Sequence, residues 1–351
     1  MKRWIWRILG GIGGLIVLIG AVGVFYAART GAFRSFPPAT SACIERPLAA
    51  ESAEDIVADR ARGLIYISAL DRRGGVGGPP KLGTVKVADL AAPGWAFSSV
   101  VDGAPADFRP HGLSLYVAPD GGQTLMAISH PPGAGHRIEI FDRTPEGRFA
   151  HAASVAGPEL VKPNDLAASG PRSFFVVNDA GASNGFERVL ENLFGVGYAT
   201  LVHFDGAKLS VAVEGLAAPG GVNLSADGKR LFVAETQGQR VSIFDVDGAK
   251  ATLNAVVGVG GLPDNIDIAD DGSAWVTSHG SAVGLVGHFI DPANPAPSVI
   301  ERITLDAGRW TATRVYASDG RNLSAGSVAV SVGERFLLGS ITEYKILECK
   351  R

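Results

Sequence analysis

Three short pairs of oxygen-bearing side chains recur in the same kind of corner: Glu54-Asp55 in "ESAEDIVAD", Asn164-Asp165 in "KPNDLAASG" and Asp264-Asn265 in "LPDNIDIADDG". A single histidine, His111, opens "FRPHGLSLYV", and Gly220 holds the matching place in "APGGVNLSADG". Together the corners offer carboxylates from Asp55, Asp165, Asp264 and Glu54, plus two amides, with no cysteine or multi-histidine cluster beside them. Hard oxygen donors of this kind suit Ca²⁺, which takes several carboxylate and carbonyl oxygens, and suit Zn²⁺ badly. One such pair alone reads as a turn, because Asp and Asn satisfy local backbone groups. Three pairs at one phase of a repeat point to a metal.

The repeat that must position them is a polar corner, a short strand, a turn often marked Asp-Gly, an apolar strand, and a further strand ending near Phe-Asp. Its clearest copies are "PHGLSLYVAPDGGQTLMAISHPPGAGHRIEIFDR", "PGGVNLSADGKRLFVAETQGQRVSIFDVDG" and "PDNIDIADDGSAWVTSHGSAVGLVGHFI". Weaker copies bring the total to six, with corners near residues 54, 110, 163, 219, 263 and 326, at steps of 44 to 63 residues. That spacing fits a blade of four strands, and the alternation in "LSLYV" and "VSIFDV" favours strands over helices. The expected fold is all-β, a six-bladed β-propeller over residues 43–351 with a central calcium-binding channel onto which the corners converge. One stretch, "GASNGFERVLENLFGVG", breaks the pattern: Phe186, Val189, Leu190 and Leu193 recur at helical spacing and Asn184 is placed to cap. It reads either as a lid over one channel mouth or as a surface helix packed on a blade edge.

The N-terminus is different material. "MKRWIWR" carries three cations and residues 8–28 run 21 residues without a charge, enough to cross a hydrocarbon core that needs about 20. Residues 1–28 are read as an uncleaved signal-anchor, with the N-terminus in the cytoplasm and the propeller outside it, on the periplasmic or extracellular side. The alternative is a cleaved signal and a secreted domain. Residues 29–42 form a stalk. Cys43 follows it and Cys349 lies two residues from the end; paired, they would tie the first strand of the domain to the last and require an oxidising compartment. Otherwise they are two unrelated buried thiols. A formal net charge of −3 argues against nucleic acid and against a polybasic membrane surface, so the expected partner is a small molecule.

In order and with similar gaps, "ESAEDIVAD", "FRPHGLSLYV", "ISHPPGAGHRIEIF", "KPNDLAASGPRSFFVVND", "GGVNLSADGKRLFVAET", "LPDNIDIADDGSAWVTSHG" and "AGSVAVSVGERFLLGSI" resemble the serum paraoxonase/arylesterase family. The likeness covers the chain after the anchor, and the retained apolar N-terminus and end-to-end cysteine pair are similar too. Gluconolactonase and strictosidine synthase-like propellers share the fold, but "FRPHG" and the 19-residue step from His111 to His130 point to the paraoxonase branch. The resemblance implies a Ca²⁺-dependent hydrolase of lactones and aryl esters with two calcium ions in the channel. It implies that Glu54, Asn164, Asp264 and Asn265 hold a catalytic ion, and that Asp55, Asp165 and the backbone carbonyl of Leu113 hold a deeper, structural one. His111 and His130 match the family's histidine dyad, and His279 in "TSHGS" is placed to border the pocket.

Gly220 departs from this pattern, since the family carries an asparagine there. Asn223 lies three residues further along the strand and faces elsewhere. The chain therefore lacks one neutral donor, whose place water would fill, and Gly220→Asn is expected to restore it. Within the hydrolase reading, calcium polarises the carbonyl while His111, oriented by His130, activates water at a corner fixed by Arg109 and Pro110. Two competitors stand beside it: a membrane-tethered propeller that binds a ligand or protein without catalysis, and a calcium propeller acting on sugar lactones.

Overall fold

Six strands stand side by side around one axis: Ser52–Asp59, Pro110–Val117, Pro163–Gly170, Pro219–Leu224, Leu262–Ile268 and Gly326–Val332. Each begins at one of the corners named above and is the innermost strand of its own antiparallel sheet. The molecule is a six-bladed β-propeller; its computed structural model describes residues 2–73 and 81–351. Blades are numbered here by their inner strands in chain order. Blade 2 carries an extra edge strand, Val101–Asp102, running parallel to Phe149–Val155.

The blades hold together because the middle strands alternate apolar side chains toward both neighbours. Each gap between adjacent blades is filled by its own apolar cluster. Between blades 1 and 2, for example, Tyr66, Phe108, Leu125, Phe141 and Phe149 are buried together, and each such side chain contributes about 1.5–3 kcal/mol by leaving water.

Blade 6 closes the ring. Its outermost strand is Cys43–Pro47, paired antiparallel with Lys345–Lys350 so that Cys43 stands opposite Cys349. The two are joined in a disulfide that spans 306 residues of chain.

Helix α1, Lys2–Arg29, contains a 24-residue apolar stretch, Trp6–Arg29, long enough to cross a membrane. Its C-terminal end meets the propeller: Gln239 Nε2 donates to Arg29 O at 2.8 Å, and Arg29 also bonds to Gln237. Helix α2, Gly185–Val189, continues into a π turn, Leu190–Phe194. Asn184 caps it as expected, its Oδ1 accepting from Glu187 N at 3.0 Å. Phe186 is 74 % exposed, Leu190 and Leu193 are half-buried, and Phe194 meets Phe25 of α1 with ring centroids 6.0 Å apart.

The repeat assigned a strand to "SAVGLVGHFI", and here the structure differs. Ala282–Ile290 is helix α3, capped by Ser281, whose hydroxyl accepts from Gly284 N at 3.2 Å. The third strand of blade 5 comes later, at Ser298–Asp306. Buried His288 pins α3 by bonding to Asn294 O at 2.7 Å and Thr342 Oγ1 at 2.9 Å, an anchor that strand alternation could not signal.

Candidate active site and metal centre

Every inner strand slips register against its neighbour near its start by one extra residue, for example between Ala53 and Ile56, Pro163 and Asp165, and Pro263 and Ile266. Blades 2, 4 and 6 carry the same irregularity. A β-bulge re-aims side chains that strict alternation would send to opposite faces. Consecutive residues Glu54 and Asp55 are therefore both buried in the channel, as are Asp264 and Asn265.

The pairs separate into two tiers. Asp55, Leu113 and Asp165 line a cavity of about 370 Å³ that enters the channel from below. Here the carboxylates act as clasps between blades. Asp55 accepts from Ile56 N at 2.8 Å and from Leu113 N of blade 2 at 2.6 Å. Asp165 accepts from Leu166 N at 2.7 Å and from Val222 N of blade 4 at 2.8 Å. Asn223 belongs to this lower tier, its Nδ2 donating to Ile266 O at 2.9 Å, well away from the place of the missing donor. Burial, and then repulsion from neighbouring carboxylates, pushes Asp55 and Asp165 well above the usual aspartate range.

Glu54, His111, Asn164, Asp264 and His279 line an upper cavity of about 250 Å³, beneath Leu285 of α3. Asn265 joins them through its Nδ2, which donates to both Glu54 O and Glu54 Oε1 at 3.1 Å. His279 Nε2 lies 3.0 Å from Asp264 Oδ2, and His111 Nε2 lies 3.8 Å from Glu54 Oε1. Burial raises Glu54, opposed by Arg72, and raises Asp264, opposed by His279. Burial, and then the nearby Arg72 cation, holds His111 down at about 3, so its ring is neutral near pH 7 and keeps a nitrogen lone pair. His130 stands outside the cavity wall with its ring 5.0 Å from that of His111.

Whether this channel suits a cation can be tested on its buried atoms. Glu54 Oε2, Asn164 Oδ1 and Asn265 Oδ1 are buried without a hydrogen-bond partner. All three are acceptors, and a buried acceptor without a partner is costly. No three acidic, histidine or cysteine side chains among the described residues form a metal cage by themselves; the oxygen set is completed by amides, as calcium accepts and zinc does not. Four acids held toward neutrality by burial add the same demand for positive charge. The residues fit calcium.

Gly220 is explained by its surroundings. A Cβ at this position would stand 2.8 Å from Asp264 Oδ1, 2.9 Å from Thr236 Oγ1 and 3.2 Å from Asp264 Cα. Thr236, whose hydroxyl donates to Pro263 O at 2.6 Å, occupies the space an asparagine would need. The expected gain from Gly220→Asn is thus opposed by crowding.

Thr236, Asp179, Gln237 and Arg72 were not singled out from sequence. Arg72 Nη2 donates to Pro110 O at 2.8 Å and lies 4.0 Å from Glu54 Oε2. The missed residues share a phase, one or two positions beyond the second strand of a blade, as His130 also does. Aligning the ends of second strands, as well as the corners, would have found them.

Fold and site together define a six-bladed propeller with an acceptor-lined axial channel. The chain belongs to the arylesterase family, whose model matches residues 98–350. It is 29% identical over 249 residues to human serum paraoxonase/arylesterase 2, covering 70% of this chain and 69% of that protein. With mouse serum paraoxonase/arylesterase 1 it shares 28% identity over 335 residues, covering 92% and 93%. Among solved structures, a putative gluconolactonase superposes with a TM-score of 0.54 at 16% identity over 91% of this chain and 94% of that one, a likeness of fold.

Proposed function

We propose that this protein is a calcium-dependent hydrolase of lactones and aryl esters, working in the upper cavity. The observation that carries the reading is the set of partnerless acceptors, Glu54 Oε2, Asn164 Oδ1 and Asn265 Oδ1, beside a neutral His111. Glu54, Asn164, Asp264 and Asn265 would hold the catalytic ion; Asp55, Asp165 and the Leu113 carbonyl would hold the structural one. When bound, calcium supplies Lewis-acid polarisation of the scissile carbonyl. His111 takes the proton of the attacking water and His130 steadies the ring of His111 from behind. His279 keeps the Asp264 carboxylate in place through their 3.0 Å contact. α1 would tether the propeller outside the cytoplasm, where the Cys43–Cys349 bond persists.

The test is hydrolysis of a lactone panel and an aryl ester during a calcium titration. His111→Gln should lose ~10²–10⁴-fold in rate, the usual contribution of a general base, with calcium binding kept. Asp264→Ala should lose both. Gly220 favours the second reading, a tethered propeller that binds without catalysis. Calcium-loaded protein that binds the ion and turns over no ester supports that alternative and overturns the hydrolase.

A further inference from the structure

Residues 29–34, which open the stalk expected from sequence, lie on the propeller beside the upper cavity. Thr30 is fully buried and Gly31 is buried with it. Gly31 has φ 85°, and a Cβ there would stand 2.4 Å from Gly280 O, so only glycine lets the chain run this close.

Three parts of the cavity wall meet this segment. On blade 4, Arg29 Nη1 donates to Gln237 Oε1 at 3.2 Å and Arg29 Nη2 donates to Gln237 O, and Gln237 lines the cavity. On blade 5, Ala282 N is one of the N–H groups that a helix start leaves free. It donates to Thr30 O at 3.0 Å, one turn before Leu285 covers the cavity. On blade 3, Arg29 Nη1 also donates to Leu193 O at 3.4 Å in the π turn. Glu191 of the same turn accepts from Gly181 N at 2.9 Å, two residues after the cavity residue Asp179. The three acceptors are carbonyl oxygens on separate elements, which suits the planar fork of a guanidinium.

Gln239 holds the same segment from the other side. It sits in the left-handed region at φ 51°, where glycine is the easier choice. Its side chain is used at both ends: Nε2 donates to Arg29 O at 2.8 Å and Oε1 accepts from Arg34 Nη2 at 2.5 Å, while Arg34 Nη1 donates to Gly260 O at 2.9 Å. A strained backbone persists where the surroundings over-determine it, and here the side chain's bonds to Arg29 and Arg34 do so. We propose that Arg29 and Gln239 are positioning residues: they clamp the exit of α1 onto blades 3, 4 and 5, fix the width of the upper cavity and so set which esters it accepts by size. The size selection rests on the hydrolase reading; the clamp does not.

Two variants of the calcium-loaded full chain test this. Gln239→Gly removes the side chain at a position whose backbone favours glycine, so the fold is kept. Arg29→Met removes the fork and keeps an unbranched apolar stem. In both, the Ala282 amide should exchange with solvent about 5- to 10-fold faster, the effect of losing one hydrogen bond's net worth. With p-nitrophenyl acetate and p-nitrophenyl octanoate as probes, kcat/KM for the larger ester should rise about 10-fold relative to the smaller, the low end of what pocket fit confers. The change should lie in KM, and Arg29→Lys, which keeps a donor without the fork, should fall between. A merely structural role would lower both esters alike. Unchanged Ala282 exchange in either variant overturns the clamp whatever the activity. Faster exchange with an unaltered preference between the esters overturns the size selection. Faster exchange in a protein whose wild type hydrolyses neither ester overturns the hydrolase reading, and the size selection with it.

Discussion

Asn265 Nδ2 donates to both the backbone oxygen and the Oε1 of Glu54, 3.1 Å from each, across 211 residues of sequence. The contact spends the amide's donor side on Glu54, while Asn265 Oδ1 and Glu54 Oε2 accept no hydrogen bond. Asn265→Ala should therefore weaken calcium at the upper site on two counts, losing one oxygen and freeing Glu54 to move. Terbium luminescence or calorimetry measures this; unchanged affinity would remove both residues from the metal set.

Stability should depend on calcium in a pH-dependent way. Asp55 and Asp165 have folded-state pKa values above the ordinary 3.8. Their contribution to metal-free stability is full below that value and is lost as pH rises through the folded values, where two desolvated charges must coexist. Bound calcium requires the ionised form. The rise in Tm on adding calcium should be small near about pH 4 and grow toward neutrality. A rise that is constant across this range would show that neither aspartate is linked to the ion.

Gly220→Asn should weaken calcium binding. The new Cβ would press on the Asp264 carboxylate and the Thr236 hydroxyl, and overpacking of this kind costs about 1–3 kcal/mol. Tighter binding in calorimetry would show instead that the wall yields and accepts the extra oxygen.

Replacing both cysteines, Cys43→Ala with Cys349→Ala, removes a bond that closes a loop of 306 residues. Unfolding in denaturant should show a loss of up to about 5 kcal/mol, on the chain-entropy account. Reduction of the wild type should reproduce it. An unchanged midpoint would mean that the outer-strand pairing of blade 6 holds the ring closed unaided.

The sequence by itself determined the number of blades, the corner that begins each inner strand and the kind of atom the channel presents, because these depend on local alternation, turn residues and side-chain chemistry. It also placed Cys43 and Cys349 at the two ends that meet. The tertiary structure decided the rest. Bulges at the inner-strand starts turn Glu54 and Asp55 into one channel, a departure from alternation that no local propensity encodes. Packing chose a helix for Ala282–Ile290, whose apolar spacing suits a strand or a helix until His288 finds Thr342. Thr236 filling the space beside Gly220 arises where separate strand ends and loops converge on one mouth. Distances between such ends are set by how six blades close around an axis, and a chain read in one dimension carries that closure only as a count.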